Sequence, residues 1–429
     1  MQILLKGATL ADPMERYSGP MDLLIQDGKI ARIDRQIDAP ADQVVDLGGQ
    51  VLFPGLVDMH CHLREPGFEY KEDITTGTQA AACGGFAAVA CMANTQPVAD
   101  NEAVVAYIKN RGLQEGRTRV YPIGAVTKGL KGRELAEMGM MRRAGAVAFS
   151  DDGMPIMSGR VMRLALEYAA NFDALIICHE EDLDILDGGV MNEGVVSAEL
   201  GLPGANRAAE EAMIARDVLL AESLGVKVHI AHVSTAGGVE IIRQAKNRGV
   251  AVTSETCPHY FALTDELVRG YDGNTRVNPP LRTAADVAAI IEGLKDGTID
   301  CIVTDHAPHH VDEKLAEFPL VKSGMIGFET ALALGFEYLV EPGHLSLAEL
   351  ADKMSASPAR ILGISYGRIA VGAPATLTAA DPRLTWVPSR ESLHSKSLNT
   401  PLLGRTLTGK TTHLWIDGQA IVQEGRLMK

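Results

Sequence analysis

Two histidines with one residue between them, His60 and His62, follow the apolar run 51–57. Side chains on a β-strand alternate between its two faces, so a strand that reaches this pair presents both imidazoles on one side. Two neutral imidazoles held side by side provide half of a transition-metal site. A polar pair at a strand edge is the other interpretation, and the rest of the chain decides between them.

Polar side chains of similar kinds follow other apolar runs along the chain. They are Asn94, Asp152, His179, His232 and Asp305. A lone histidine or aspartate at a strand end is usually a cap or a solvated residue. Repetition at the ends of several strands predicts a shared site instead. Four histidines and two carboxylates are more ligands than one catalytic zinc uses, which favours two metal ions with a bridging carboxylate and a bridging hydroxide.

The elements that must position these residues lie between about residue 51 and residue 365, where apolar runs alternate with helical patterns. The runs are 55–60, 86–93, 118–126, 144–150, 174–180, 226–233, 250–256 and 300–304. Nearly continuous apolar strands separated by helices indicate parallel strands buried on both faces. Such units predict an α/β fold of the (β/α)8 TIM-barrel type, with functional residues at the carboxyl ends of the strands. An open doubly wound sheet is the alternative, but no GxGxxG follows a first strand.

Both ends of the chain have the pattern of short antiparallel strands. An Asp27-Gly28 pair between apolar runs predicts a hairpin, and the segments 371–378 and 412–422 predict further strands. The two ends together predict a small β-sandwich-like domain. We therefore divide the chain into residues 1–50 and 366–429, which form this small domain, and residues 51–365, which form the barrel.

Composition limits the classes of partner. The chain has 429 residues and a formal net charge of -15, which argues against nucleic acid or an anionic membrane as the main partner. Six cysteines without a CxxC pair indicate buried free thiols in a reducing compartment. The first residues lack a basic region followed by an apolar core, and no apolar run approaches the roughly 20 residues that span a bilayer. These observations predict a cytoplasmic protein.

A set of short motifs resembles the dihydroorotases of the amidohydrolase superfamily, over essentially the whole chain. The motifs are HCHLREPG at 60–67, MANTQPV at 92–98, FSDDG at 149–153, ICHEED at 177–182, HIAHVST at 229–235, ETCPHY at 255–260, NPPLR at 278–282, TDHAPH at 304–309 and GMIGFET at 324–330. The resemblance implies a metal-bearing (β/α)8 barrel with a small β domain built from both termini, in agreement with the patterns above.

The resemblance also implies roles for individual residues. His60 and His62 would bind one Zn²⁺, His179 and His232 a second, with Asp152 and a hydroxide bridging them. Asp305 would be the catalytic acid and base, close to the first zinc. Groups that contact the substrate are implied at His62, Arg64, Asn94, Asn278, His309, Ser323 and Gly324. Hydantoinase-like relatives bridge their metals with a carboxylated lysine, whereas this chain has Asp152 at that position.

The implied activity is the reversible interconversion of L-dihydroorotate and N-carbamoyl-L-aspartate in UMP biosynthesis. The hydroxide would attack the ring amide carbonyl, and Asp305 would carry the proton to the departing nitrogen. Two alternatives stay open, namely another cyclic-amide hydrolase, such as an allantoinase or dihydropyrimidinase, and an inactive scaffold beside aspartate transcarbamoylase. A homodimer is the expectation from the family.

Other polar residues in or next to these motifs are expected to have structural roles. Asp151 is expected in a turn or behind the ligands, and His306 should point away from the site if its strand continues. Glu180 and Glu181 are expected behind the ligands or in solvent. The charged segment 310–322 predicts a surface loop that could cover the site.

Overall fold

The computed structural model describes residues 1–14 and 16–428. Its strands are β1 (Gln2–Leu10), β2 (Pro20–Gln26), β3 (Lys29–Asp34), β4 (Gln43–Asp46), β5 (Val51–Pro54), β6 (Leu56–Cys61), β7 (Phe86–Cys91), β8 (Arg119–Gly124), β9 (Ala148–Phe149), β10 (Ile177–Cys178), β11 (Met191–Asn192), β12 (Gly204–Ala205), β13 (Val228–Ile230), β14 (Val252–Thr256), β15 (Cys301–Ile302), β16 (Leu377–Trp386), β17 (Leu407–Ile416), β18 (Gln419–Gln423) and β19 (Arg426–Leu427).

The helices lie mainly between the barrel strands. They are α1 (Ile74–Gly84), α2 (Glu102–Glu115), α3 (Met138–Ala144), α4 (Gly159–Ala170), α5 (Leu183–Leu186), α6 (Val195–Leu200), α7 (Ala208–Leu224), α8 (Ala236–Asn247), α9 (Pro258–Ala262), α10 (Ala284–Lys295), α11 (Val311–Lys314), α12 (Ala331–Gly335), α13 (Leu347–Ala351) and α14 (Ser357–Leu362). π-Helical turns at Phe336–Val340 and Asp352–Ala356 continue α12 and α13. Shorter 3-10 turns lie at Lys128–Leu130, Asp265–Gly270, Gly273–Thr275 and Phe318–Leu320.

Parallel strands form the predicted barrel. Strands β6, β7, β8 and β9 pair in that order, and β10, β13, β14 and β15 pair in that order. Single parallel bridges join the two groups, one between Phe149 and Ile176 and one between Cys61 and His306. The sheet is therefore closed, and the prediction of a (β/α)8 fold is confirmed.

The barrel strands are apolar because both of their faces are covered. Every residue of β6 and β7 is buried, as expected for strands between a filled barrel interior and an outer ring of helices. The helices begin at residues that cap them. The Thr235 side chain accepts from the Gly238 N–H at the start of α8, and Thr283 and Asp286 form a capping box at the start of α10.

Strands from both ends of the chain form one nine-stranded sheet. Its order is β19-β18-β17-β16-β5-β1-β2-β3, with β4 paired to β1. The predicted hairpin is present as β2 and β3. The sheet surrounds its own core, which includes Leu5, Leu23, Leu377 and Trp415. The strand predicted at 371–378 is wrong in its position, because residues before Leu377 form turns and β16 instead continues to Trp386.

Strand β5 connects this sheet to the barrel. It pairs with β1 and β16 in the nine-stranded sheet, and only Gly55 separates it from β6. The first barrel strand, which ends in the His60–His62 pair, therefore continues directly from a strand that both chain ends hold in place.

Candidate metal centre

Six side chains from five strand ends converge at one end of the barrel. Asp152 lies at the centre of this group. Its Oδ1 is 3.3 Å from His60 Nε2, 3.3 Å from His232 Nε2 and 3.5 Å from His179 Nδ1, while its Oδ2 is 3.5 Å from His62 Nε2. Asp305 completes the group, with its Oδ1 3.0 Å from His62 Nε2 and 3.6 Å from His60 Nε2.

The donor atoms have the spacing that shared metal ions require. Zinc bonds nitrogen and oxygen at about 2.0–2.1 Å, so two ligands of one tetrahedral ion are about 3.3 Å apart. The distances around Asp152 and Asp305 are close to this value. Three-residue groups with mutually close donors include His60, His62 and Asp305, and also His60, Asp152 and His232. His60 Nε2 is buried without a hydrogen-bond partner among the described residues, as expected of a nitrogen that binds a metal. The side chains therefore fit a metal centre.

Three of the four histidines face Asp152 with Nε2, and His179 faces it with Nδ1. His179 Nδ1 lies 2.8 Å from His232 Nε2. His179 and His232 thus form a second close pair on the other side of the carboxylate. Asp152 Oδ1 approaches both pairs, so this carboxylate lies between them.

Hydrogen bonds behind the histidines fix their tautomers. His60 Nδ1 lies 2.5 Å from Glu255 Oε1, and His62 Nδ1 lies 2.9 Å from Asn94 Oδ1. An oxygen beside each Nδ1 favours a proton on that nitrogen, which makes Nε2 the nitrogen available to a metal. Glu255 also contacts His229 through its second oxygen, at 3.1 Å. This carboxylate orients His60 in the way that outer ligands orient metal-binding histidines.

At the centre, charge interactions and hydrogen bonds shift the pKa values more than burial does. Burial raises the pKa of Asp152, but the opposing effects of His60, His179 and His232 hold it well below the usual range. Burial lowers the pKa of His179, but hydrogen bonds to Asp152 and Glu181 raise it to about 10. The Asp152 carboxylate is therefore ionised, and positive charge beside it is favoured.

The backbone leaves the extended conformation where it delivers these side chains. Arg64, His232 and Asp305 have φ angles of 63°, 33° and 44°, in the left-handed region that L-residues seldom adopt. Such strain persists only where the surrounding structure enforces it, and it concentrates at functional sites. Gly153, with a φ of 79°, provides the turn that lets the backbone after β9 approach the centre, as expected from the short side chain of Asp152.

The other predicted site residues surround the centre. Arg64 Nε donates to the Pro308 carbonyl at 3.1 Å, and its Nη2 lies 3.3 Å from His309 Nε2. His309 Nε2 also lies 2.9 Å from the Ser323 carbonyl. The structure therefore brings Arg64, His309 and Ser323 together, with Gly324 as the next residue along the chain.

Asn278 lies near the His179–His232 pair. Its Nδ2 donates to Glu181 Oε2 at 3.2 Å, and that oxygen is 3.6 Å from His179 Nε2. Asn278, Glu181 and Ser323 line a cavity of about 100 Å³. This cavity adjoins residues predicted to contact the substrate.

Asp151 and His306 make contacts outside the histidine cluster. Asp151 turns away from the centre, where its carboxylate accepts from the backbone N–H groups of Val126 and Thr127. His306 stacks on Phe328 with ring centroids 4.0 Å apart. The segment 310–322 contains α11 and the Phe318–Leu320 turn, and it lies next to His309.

Sequence reasoning missed three contributors, namely Glu255, Lys314 and Asn399. Glu255 is fully buried on β14, and a glutamate inside an apolar strand could have indicated a specific partner. Lys314 was included in a surface loop, but it is buried and donates to the carbonyls of Arg276, Lys322 and Gly324. Asn399 lies far along the chain from every site motif, so no local signal indicated it.

Comparison with known proteins identifies the family. The chain is 53% identical over 426 residues to a dihydroorotase of Acetivibrio thermocellus, covering 99% of this chain and 100% of that protein. It belongs to the dihydroorotase family. A dihydroorotase of Geotalea daltonii is 52% identical over 98% of this chain and 99% of that protein. A family model described as dihydro-orotase-like matches residues 49–237.

A solved structure shares the whole fold. The L-hydantoinase (dihydropyrimidinase) of Arthrobacter aurescens superposes with a TM-score of 0.90 at 25% identity, over 100% of this chain and 97% of that one. The amidohydrolase family is metal-dependent, and this dihydroorotase-family chain contains the candidate ligand groups. Within residues 1–14 and 16–428, no helix has the length and apolar character needed to cross a membrane.

Proposed function

We propose that this chain catalyses the reversible interconversion of L-dihydroorotate and N-carbamoyl-L-aspartate in de novo pyrimidine biosynthesis. The observation that carries the proposal is the 53% identity to a dihydroorotase over nearly the full length. The aspartate at the centre of the histidine cluster supports it, since hydantoinase-like relatives are expected to have a carboxylated lysine there. An inactive scaffold is disfavoured because every expected metal ligand is present and faces its neighbours.

The proposed cofactor is a pair of Zn²⁺ ions. His60 and His62, with Asp305 beside them, would hold one ion, and His179 and His232 would hold the other. Asp152 would bridge them, in keeping with its contacts to all four imidazoles at 3.3–3.5 Å. When bound, two divalent ions supply Lewis acidity, which lowers the pKa of water toward 7 and polarises a carbonyl group.

Asp305 is the proposed catalytic acid and base. Burial raises its pKa, but the His62 hydrogen bond and the charges of His60 and His62 lower it, which favours the ionised, proton-accepting form. During hydrolysis it would take the proton from the attacking water and deliver it to the departing ring nitrogen. In the biosynthetic direction it would take a proton from the carbamoyl nitrogen as that nitrogen attacks the carboxyl carbon, and deliver it to the carboxyl oxygen, which leaves as water.

Arg64 and Asn94 are the proposed contacts for the substrate carboxylate. The Arg64 side chain is anchored at Nε by the Pro308 carbonyl, so its terminal nitrogens can form two parallel hydrogen bonds to a carboxylate. Asn94 accepts from His62 with its oxygen, which turns its N–H donors toward a ligand. His62 would therefore link metal binding to substrate binding.

Asn278, His309 and the backbone of Ser323 and Gly324 are the proposed contacts for the pyrimidine ring and its substituents. Amide groups and backbone N–H and carbonyl groups match the alternating donors and acceptors of a cyclic diamide. These residues reach the site from the loops after β14 and β15. Two opposite sides of the mouth would thus hold one small anionic ring.

Zinc analysis and substrate assays on the purified chain test this function. We expect about two zinc ions per chain and rapid hydrolysis of dihydroorotate, with allantoin and dihydrouracil as comparison substrates. Removal of metal should abolish turnover, and added zinc should restore it. A zinc-restored preparation that turns over none of the three substrates would refute the enzymatic function. Preferential turnover of allantoin or dihydrouracil would replace it with the other cyclic-amide hydrolase.

Several predictions about organisation remain predictions. They are the domain division at 1–50, 51–365 and 366–429, a homodimer, an association with aspartate transcarbamoylase, and a cytoplasmic location. All six cysteines are free, which agrees with a reducing compartment. Light scattering of the chain alone, and mixed with aspartate transcarbamoylase, would measure both associations directly.

A further inference from the structure

A segment near the C-terminal part of the chain crosses the mouth of the barrel. We name residues 394–399, between β16 and β17, the mouth strap. Its Lys396 Nζ donates to the Glu69 carbonyl at 2.9 Å, and its Ser397 Oγ donates to the Lys71 carbonyl at 2.8 Å. The strap therefore lies on the loop that follows the first barrel strand, although it belongs to the connection between two strands of the nine-stranded sheet.

Asn399 is the residue of the strap with the most specific contacts. It is only 3% exposed. Its Nδ2 donates to the Ala307 carbonyl at 2.9 Å and to the Gly324 carbonyl at 3.0 Å, and its Oδ1 accepts from the His309 N–H at 3.0 Å. Its own carbonyl accepts from the Ile326 N–H at 3.0 Å. One buried side chain thus connects the loop after β15 with the loop around Gly324.

We propose that Asn399 is a positioning residue for substrate binding, which it sets by fixing the distance between His309 and the Ser323–Gly324 backbone. This inference rests on the proposed function, because these residues are the proposed contacts for the substrate ring. Asn399 contacts neither the metal ligands nor the cavity beside Asn278. It acts through the two loops that it joins.

Only an amide satisfies all of these contacts. Two carbonyls require two donors, and one N–H requires an acceptor, so the orientation of the Asn399 amide is determined. A carboxylate at this position would place negative charge against two carbonyl oxygens. An apolar residue would leave the Ala307 carbonyl and the His309 N–H unpaired, while the Gly324 carbonyl would keep only its Lys314 donor.

The loop after β15 and the loop around Gly324 are also in direct contact, so their spacing depends on close packing. Gly324 has a φ of 135°, and a Cβ on it would lie 2.8 Å from Ala307 Cβ and 3.0 Å from the Ala307 carbonyl oxygen. The backbones can approach this closely only because Gly324 has no side chain. The Asn399 amide binds both backbones beside this contact, so its removal would let the loops separate.

Kinetics of two variants test the proposal. Asn399→Ala removes every side-chain contact, and the nearly isosteric Asn399→Asp keeps the acceptor but loses both donors. We expect the KM for dihydroorotate to rise about tenfold, as for the loss of one positioning hydrogen bond of about 1.4 kcal/mol, with kcat within about threefold of wild type. Hydrogen exchange of residues 305–327 should become faster in both variants without substrate.

Ser397→Ala is the matched control. It removes a buried hydrogen bond from the same strap but touches neither the Gly324 loop nor His309. A KM within about twofold of wild type in this control supports the proposal, and an equal rise in KM overturns it. Unchanged KM and exchange in the Asn399 variants also overturns it.

The result expected if the proposed function is wrong differs from the result expected if the role of Asn399 is wrong. If wild-type protein with zinc does not hydrolyse dihydroorotate, the function is wrong, and the exchange measurement still decides whether Asn399 holds the two loops together. If Asn399→Ala does not fold, Asn399→Asp, with a smaller change in shape, decides by the same two measurements.

Discussion

Replacement of Glu255 by glutamine should weaken zinc binding without removing any ligand. Glu255 is fully buried, with one oxygen 2.5 Å from His60 Nδ1 and the other 3.1 Å from His229 Nε2. Burial raises its pKa, but His60 and His229 lower it to about 2, so the side chain is an anion at neutral pH. His60 therefore donates to a full negative charge, which increases the basicity of the nitrogen that faces the metal.

The expected size of the effect follows from the type of hydrogen bond that is lost. A hydrogen bond to a charged partner contributes about 1.5–3 kcal/mol, whereas one to a neutral partner contributes about 1 kcal/mol. Glutamine keeps an oxygen for His60, and its amide can donate to His229, whose other nitrogen lies 2.7 Å from Thr253 Oγ1. Only the charge is lost, which costs about 0.5–2 kcal/mol, so zinc affinity should fall about 2- to 30-fold.

Competition with a chromogenic chelator measures this affinity on the metal-free protein. Glu72→Gln is the matched control, because Glu72 is equally buried but its contacts are with Thr76 and the mouth strap. We expect the control to bind zinc as wild type does. A Glu255→Gln variant that folds normally and keeps wild-type zinc affinity would refute the argument that this carboxylate tunes His60.

Three further predictions concern the proposed mechanism. Asp305→Asn should lower kcat about 10²- to 10⁴-fold, since it removes proton transfer, while zinc analysis finds most of the metal still bound. Arg64→Lys should raise the KM for dihydroorotate about tenfold, because an ammonium cannot form the two parallel hydrogen bonds of a guanidinium; an unchanged KM means that the assignment is wrong. Lys314→Met should remove one hydrogen bond from each of three carbonyls, those of Arg276, Lys322 and Gly324, and limited proteolysis should then cleave segment 310–322 faster than in wild type.

Much of the barrel could be predicted from the sequence, but the strand ends could not. The apolar run 144–150 contains only the short strand β9, and 174–180 contains only β10. The backbone leaves the extended conformation at two of the proposed site residues, His232 and Asp305. An apolar run in the sequence indicates which residues are buried. Buried residues continue beyond the last residue that pairs regularly in a strand, so the run does not show where the strand ends.

Some of the site residues could likewise be predicted from the sequence, and others could not. Those that follow apolar runs, such as His60 and Asp152, were predictable because parallel strands bring their carboxyl ends together. Glu255 and Asn399 act through contacts with residues that are distant in the sequence, at separations of 195 residues for Glu255 with His60 and 90 for Asn399 with His309. No periodic pattern encodes such pairs, so they become visible only when the folded chain places them together.

The mouth strap has a consequence for the order in which the protein matures during synthesis. All eight barrel strands precede the strap in the chain, so a nascent chain can carry every metal ligand before Asn399 has been translated. Chains fold largely in the order in which they emerge from the ribosome. The proposed metal ligands can thus come together early, whereas the proposed substrate loops reach their final spacing only when the last strands of the nine-stranded sheet join it. On this view, a ribosome-bound barrel is a metal-binding protein first and a dihydroorotase last.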